Sequence, residues 1–272
     1  MPGVILVVLD HPAAAGALLA AARRLAEHCG AARINALVVR APPETMISPS
    51  EEVLTAAREA TLRAAEAGRA AQLRAVFDTW AAGLPSGSLD SDWIDLDGIA
   101  EMLVEDRGRR ADFLVIELPT RRDYGTSWHA LRAALFATDR PVLVVPAHCS
   151  ADFGRRVAIA WRDDERATKA VLAGLRCLTR AEAVFVLAGM RAGAMAPEPP
   201  RILAEHGVAA ELQVLTVGSG PFGATLLRKA HQLGADMLIM GAYQHSALRE
   251  FLLGGVTRYM LGHADLPVLL RH

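Results

Sequence analysis

Three stretches of this chain carry residues whose types and spacing could do chemistry. The longest runs Gly241-Ala-Tyr-Gln-His-Ser-Ala-Leu-Arg-Glu-Phe-Leu-Leu-Gly254-Gly255-Val256-Thr257. A glycine leaving an apolar run, then paired glycines and a threonine where a helix begins, bring bare backbone N–H groups close to an anion. Such a turn can hold a phosphate on the backbone of residues 254–257, or it can simply close a tight loop and cap a helix. Thr257 could donate its hydroxyl to a phosphate or cap the helix. Arg249 and Arg258 could neutralise phosphate charge or be ordinary surface arginines. The second stretch is Asp10-His11-Pro12. Asp10 there could contact a ribose or a base, or N-cap the helix that Pro12 opens. The third, Asp163-Asp164-Glu165, could hold a divalent ion or charge and cap a helix start. His245 carries an imidazole of the kind used in proton transfer, but no catalytic role is expected of it. No GxSxG, HExxH, GxxxxGKS/T or strand-linked GxGxxG is present, so no catalytic residue and no metal site is expected.

The elements that must position these residues alternate between strand and helix. Residues 4–9 form a short, continuous, β-branched apolar run, which suits a strand buried on both faces. Pro12 then opens an Ala/Leu-rich helix that Gly30 ends. Strands are expected at 33–39, 93–96, 113–116 and 142–145, with helices at 50–82 (Ser50 as N-cap), 98–107 and 128–137. The second half repeats the alternation. Its strands are expected at 157–161, 184–187, 211–217, 237–240 and 268–270, and its helices at 165–179, 199–206, 223–233 and 257–263. Alternation of this kind predicts an α/β fold of crossover units on a parallel sheet, with right-handed crossovers placing helices on both faces.

The repetition extends to residues. Ala111-Asp112-Phe113-Leu114-Val115-Ile116 matches Ala235-Asp236-Met237-Leu238-Ile239-Met240, and Arg140-Pro141-Val142-Leu143-Val144 matches Leu266-Pro267-Val268-Leu269-Leu270. Two tandem domains are therefore expected, 1–149 and 150–272. Each would be an open-twisted five-stranded parallel sheet of Rossmann-like, doubly wound type. The long helix of the first half is replaced in the second by the Gly/Pro-containing segment 191–200.

On these motifs the sequence resembles the universal stress protein family. Its nucleotide-binding members carry Gly, two residues, Gly, nine residues, Gly, then Ser or Thr between a strand and a helix. The stretch from Gly241 through Thr257, continued by His263-Ala-Asp-Leu-Pro267-Val268-Leu269, resembles that C-terminal signature. Gln244 stands where the second glycine belongs, and Gly255 where the Ser or Thr belongs. The family's adenine-side aspartate corresponds to Asp10 in the first half but to Trp161, a packing residue or a base-stacking platform, in the second. The first half's loop, residues 117–125, lacks the glycine spacing. The resemblance implies Asp10, Gly241, Gly254, Gly255, Val256 and Thr257 as cofactor-binding residues. The implied activity is a stress-response module binding an adenine nucleotide (ATP or AMP) weakly in the second half, or a protein partner. It also implies an intramolecular pseudo-dimer joined through strands 142–145 and 268–270, with a homodimer of the whole chain left open. Alternatives are a slow ATP hydrolase of the adenine nucleotide α-hydrolase type, or a purely structural tandem with decayed pockets.

Bulk properties narrow the classes. The 272 residues are 52% hydrophobic and 22% charged, enough for a buried core and too apolar for disorder. With 29 Lys+Arg against 30 Asp+Glu there is no basic excess and no nucleic-acid partner is expected. The apolar N-terminus lacks a basic leader and is broken by Asp10-His11-Pro12, and no run reaches the roughly eighteen residues of a membrane span. A cytoplasmic location is expected. The three scattered cysteines, Cys29, Cys149 and Cys177, read as reduced thiols and not as a disulfide framework.

Overall fold

The computed structural model describes residues 3–46, 55–85, 87, 89–119, 126–147, 149–242 and 255–272. The first half contains β1 (Gly3–Val8), α1 (Pro12–Cys29), β2 (Ala31–Arg40), α2 (Ala56–Ala82), β3 (Asp90–Asp97), α3 (Ala100–Gly108), β4 (Phe113–Glu117), α4 (Thr126–Phe136) and β5 (Val142–Val145). The second half contains β6 (Arg156–Trp161), α5 (Glu165–Leu178), β7 (Ala183–Met190), α6 (Arg201–Glu205), β8 (Glu211–Thr216), α7 (Phe222–Gln232), β9 (Met237–Gly241), α8 (Gly255–His263) and β10 (Val268–Arg271).

Local chemistry explains the boundaries. α1 stops because Gly30 takes φ 68°, a left-handed conformation that glycine adopts without strain, and its N–H bonds the Ala26 carbonyl. α2 begins later than the sequence implied. Thr55 is its N-cap, accepting from the Arg58 N–H at 3.2 Å, while Ser50 lies outside the described residues. β3 is longer than its apolar residues indicated, because aspartates alternate with Trp93 and Leu96 along an edge strand. Those aspartates pair with β2: Arg33 with Asp90 and Asp92, Arg40 with Asp95 and Asp97.

The strands form a single ten-stranded sheet in the order β3-β2-β1-β4-β5-β10-β9-β6-β7-β8. Within each half every pairing is parallel; only β5 and β10 run antiparallel, with Val144 opposite Val268, Leu143 opposite Leu269 and Val142 opposite Leu270. The two five-stranded units that the sequence implied are continuous across that seam, as one sheet. The reason is chemical. β5 and β10 are short and buried, and as free edges each would leave backbone N–H and C=O groups unpaired beside apolar side chains. The seam is also the edge the sequence singled out for contact between the halves.

Alternate side chains of the sheet feed two cores. Ile5 and Val7, with Val157, Ile159 and Leu269, pack under α1, α2 and α5; Leu6 and Val8, with Ala158 and Leu270, pack under α3, α4, α7 and α8. Helices therefore cover both faces. The repeated Ala-Asp pair has a shared structural role. Asp112 accepts from the Val4 N–H at 2.8 Å, and Asp236 accepts from the Gly154, Arg155 and Arg156 N–H groups. In each half this aspartate pins the start of the first strand beside the fourth.

Candidate functional site

In each half the strand order reverses between the first and fourth strands, at β1/β4 and at β6/β9, and ligands of open parallel sheets bind at the carboxyl ends of such strands. At β1/β4 the residues are Asp10, Glu117 and Ser127. The Ser127 hydroxyl donates to Asp10 Oδ2. Asp10 does not cap α1: the N-cap position is His11, whose side chain makes no cap bond. Asp10 instead faces Arg69 of α2. Arg69 Nη1 donates to the Asp10 carboxylate at 3.1 Å and to its carbonyl at 2.9 Å. Arg69 Nη2 donates to the Val39 carbonyl at 2.6 Å and to Glu66 at 2.8 Å, and Nε donates to Glu66 at 3.0 Å. Burial raises the Glu66 carboxyl, but the Arg69 hydrogen bonds and the Ala41 N–H outweigh it and hold the group below its usual range. His11 Nδ1 lies 2.8 Å from Glu117 Oε2, which is itself buried.

What remains open at β1/β4 is a cavity of about 20 Å³ lined by Val8, Asp10, Val39, Ile116, Glu117 and Ser127, among others. That holds about one water, whereas a small-molecule site takes roughly 300 Å³ or more. The first half thus presents Asp10 already engaged, beside a nearly filled crevice.

At β6/β9 the arrangement differs. Trp161, at the end of β6, is buried in the core and its indole N–H donates to the Glu198 carbonyl at 2.9 Å. It packs inside the second half, under the segment that replaces the long helix. Asp164 caps α5, accepting from the Ala167 N–H at 2.9 Å, and pairs with Arg162 at 2.5 Å. The helix-cap reading of that acidic run therefore describes Asp164. Gly241 is the buried last residue of β9, opposite Arg271. Gly255 opens α8 and is exposed; a Cβ built on it meets nothing within 4 Å among the described residues. Val256 packs half-buried against the lower core, and Thr257 is fully buried in the helix's first turn. Gly254, Gln244, His245 and Arg249 lie outside the described residues, while Arg258 is exposed. Among the described residues, Gly241 thus ends β9, Gly255, Val256 and Thr257 open α8, and Asp10 lies in the other half.

Sequence reasoning missed Arg69, Ser127 and Glu198. Arg69 and Asp10 stand 59 positions apart, and only the run of α2 back over the carboxyl ends of β1 and β2 joins them. Among the described residues no group of three His, Cys, Asp or Glu side chains is placed to hold a metal, and no helix is long and apolar enough to cross a membrane.

No curated protein sequence matches the chain. Among solved structures, the chain is similar to a universal stress protein from Archaeoglobus fulgidus DSM 4304. That match has a TM-score of 0.68 and 11% identity, covering 98% of this chain and 97% of that one. It is also similar to a functionally unknown protein from Pseudomonas aeruginosa PAO1, with a TM-score of 0.57 and 16% identity over 98% and 92% of the two chains. At such identities the likeness is one of fold. The model of the universal stress protein family matches residues 129–272, more than half of the sequence. With its mostly parallel sheet, repeated halves and strand-to-helix glycine passage, the chain belongs to the universal stress protein family.

Proposed function

We propose that this chain is a stress-response binding module whose second half takes an adenine nucleotide, ATP or AMP, weakly at the carboxyl edge of β6 and β9. The observation that carries the reading is Gly255. No contact among the described residues requires a bare backbone there, and its φ is not in the left-handed region that favours glycine. A helix start without a side chain at Gly255 suits an anion, which the N–H groups of a helix's first turn attract. Affinity is weak because the second half has no carboxylate at the base-side position: Trp161 fills it and is tied to Glu198. The first half contributes no nucleotide site while Arg69 holds Asp10.

The same Trp161 contact favours a second reading, a module that binds a protein partner and no nucleotide. Titration calorimetry with Mg-ATP and with AMP separates the two. The first reading expects saturable heat with a dissociation constant in the upper micromolar to millimolar range. It also expects a loss of at least about tenfold in Gly255→Val, equivalent to roughly 1.4 kcal/mol. The thermal midpoint without nucleotide should hold within about 2 °C in that variant, because a Cβ there meets nothing within 4 Å among the described residues. A flat titration of the wild-type chain at millimolar nucleotide overturns the nucleotide reading and leaves the partner reading.

A further inference from the structure

The sulfur atoms of Cys29 and Cys177 lie 3.7 Å apart across 148 positions of sequence, one at the end of α1 and the other near the end of α5. Both are buried, Cys29 at 3% exposure and Cys177 at 0%. Each belongs to a different half, and α1 and α5 pack together over the seam where β5 and β10 meet. From this juxtaposition we propose that Cys29 and Cys177 are a modification site, closing into a reversible disulfide that clamps the two halves when a small peroxide is present.

The neighbourhood divides the work between the two thiols. Arg176 Nη1 donates to the Cys29 carbonyl at 2.6 Å, and Arg180 donates to the Glu27 carbonyl, so two guanidinium groups stand at the carboxyl end of α1. The hydrogen bond shared with Cys177, and those two arginines, hold the Cys29 thiol below its usual range despite burial. The bond to Cys29, with burial, pushes the Cys177 thiol up. The two guanidinium groups at the end of α1 favour a thiolate at Cys29, which takes the part of nucleophile, with Cys177 as the resolving thiol. An open groove lined by Arg23, Ala26, Glu27, Gly30 and Leu84 runs past Gly30, the neighbour of Cys29, on the surface nearest the pair.

The step balances with hydrogen peroxide as oxidant. The Cys29 thiolate attacks one peroxide oxygen, the O–O bond breaks, and the departing hydroxide takes a proton, leaving a sulfenic acid and one water. Cys177 sulfur then displaces the sulfenic hydroxyl, which leaves as a second water with the Cys177 proton. Two thiols are oxidised by two electrons and one peroxide is reduced to two waters. The sulfurs must close from 3.7 Å to about 2.05 Å, a small gap against the reach of two side chains. The clamp matters because the strand seam is short: three residue pairs join β5 to β10.

The test uses the full chain, reduced, freed of reductant, and treated with hydrogen peroxide before denaturing alkylation and mass mapping. The expected result is a monomer lighter by two hydrogens, a Cys29–Cys177 cross-linked peptide, and alkylation at Cys149 alone. Its unfolding midpoint should rise by roughly 5–10 °C and return with dithiothreitol. Cys149→Ser should behave as wild type, and Cys29→Ala and Cys177→Ala should give no cross-link and no peroxide-dependent shift. Wild-type chain that keeps three alkylatable thiols after peroxide overturns the proposal. So does a cross-link through Cys149, or sulfinic acid at Cys29 in place of the disulfide. The mapping is made on wild-type protein, so it decides the matter even if a cysteine variant fails to fold, and it is independent of nucleotide binding.

Discussion

Arg69 joins α2 to the carboxyl ends of β1 and β2, and its removal strands two carboxylates at once. Its side chain is 19% exposed and those of Glu66 and Asp10 are 12% and 24% exposed, so the charges are only partly shared with water. Arg69→Met keeps the length and loses the donors, and is expected to cost about 2–4 kcal/mol in denaturant unfolding at pH 7. The pH dependence carries the sign. Glu66 is held below its unfolded value of 4.5, so it contributes stability that is present above 4.5 and lost as pH falls through the lower folded value. In Arg69→Met that acid-side loss should flatten. A variant with the wild-type denaturant midpoint at pH 7 would show that the network adds nothing to stability.

Helices α7 and α8 meet at a contact with no slack, and α8 is the helix that begins with Gly255. A Cβ on Gly223 of α7 would come within 2.6 Å of Tyr259 Cβ and 2.7 Å of its Cγ, atoms too near the α8 backbone to swing aside. Gly223→Ala is therefore expected to cost about 1–3 kcal/mol by thermal or denaturant melting, and Tyr259→Ala in the same chain should recover part of it. If Gly223→Ala melts like wild type, the close approach of the two helices is not real. Elements such as α8, β5 and β10 were legible in the sequence because apolar runs, a proline and repeated residues marked both halves alike. β3 was half legible: its Asp residues break the apolar signal while serving as salt-bridge partners of Arg33 and Arg40. The ends of β9 and α8 that bracket the glycine stretch could be read from the apolar run and the glycines. What engages Asp10 could not, since Arg69 looks like any arginine on a long helix until α2 brings it to the ends of β1 and β2. The thiol pair was hidden for the same reason, its members lying far apart in sequence.

Across the whole molecule, the connection between β5 and β6 is held against α1. His28 Nε2 lies 3.1 Å from the Phe153 carbonyl, and Gly154 takes φ 86° with no room for a side chain: a Cβ would come 2.7 Å from the imidazole. Burial, with the nearby Arg24 and Arg180, lowers the His28 pKa from its usual 6.5, against an opposing backbone bond to Phe153 and the charge of Glu27. The unfolded chain takes up that proton first, so the stability His28 contributes is present above pH 6.5 and declines below it, by up to about 1.4 kcal/mol per pH unit. Melting curves between pH 7 and 5 should be shallower in pH for His28→Gln, which can still donate to the Phe153 carbonyl. An unchanged slope would assign acid sensitivity elsewhere, for example to His272, another histidine among the described residues whose pKa burial lowers. The antiparallel joining of β5 to β10 has one more outcome. Because every strand of one half points against every strand of the other, the β1/β4 and β6/β9 mouths open from opposite rims of the sheet. A molecule at one rim is out of reach of the other, so the two mouths cannot close on a single ligand between them.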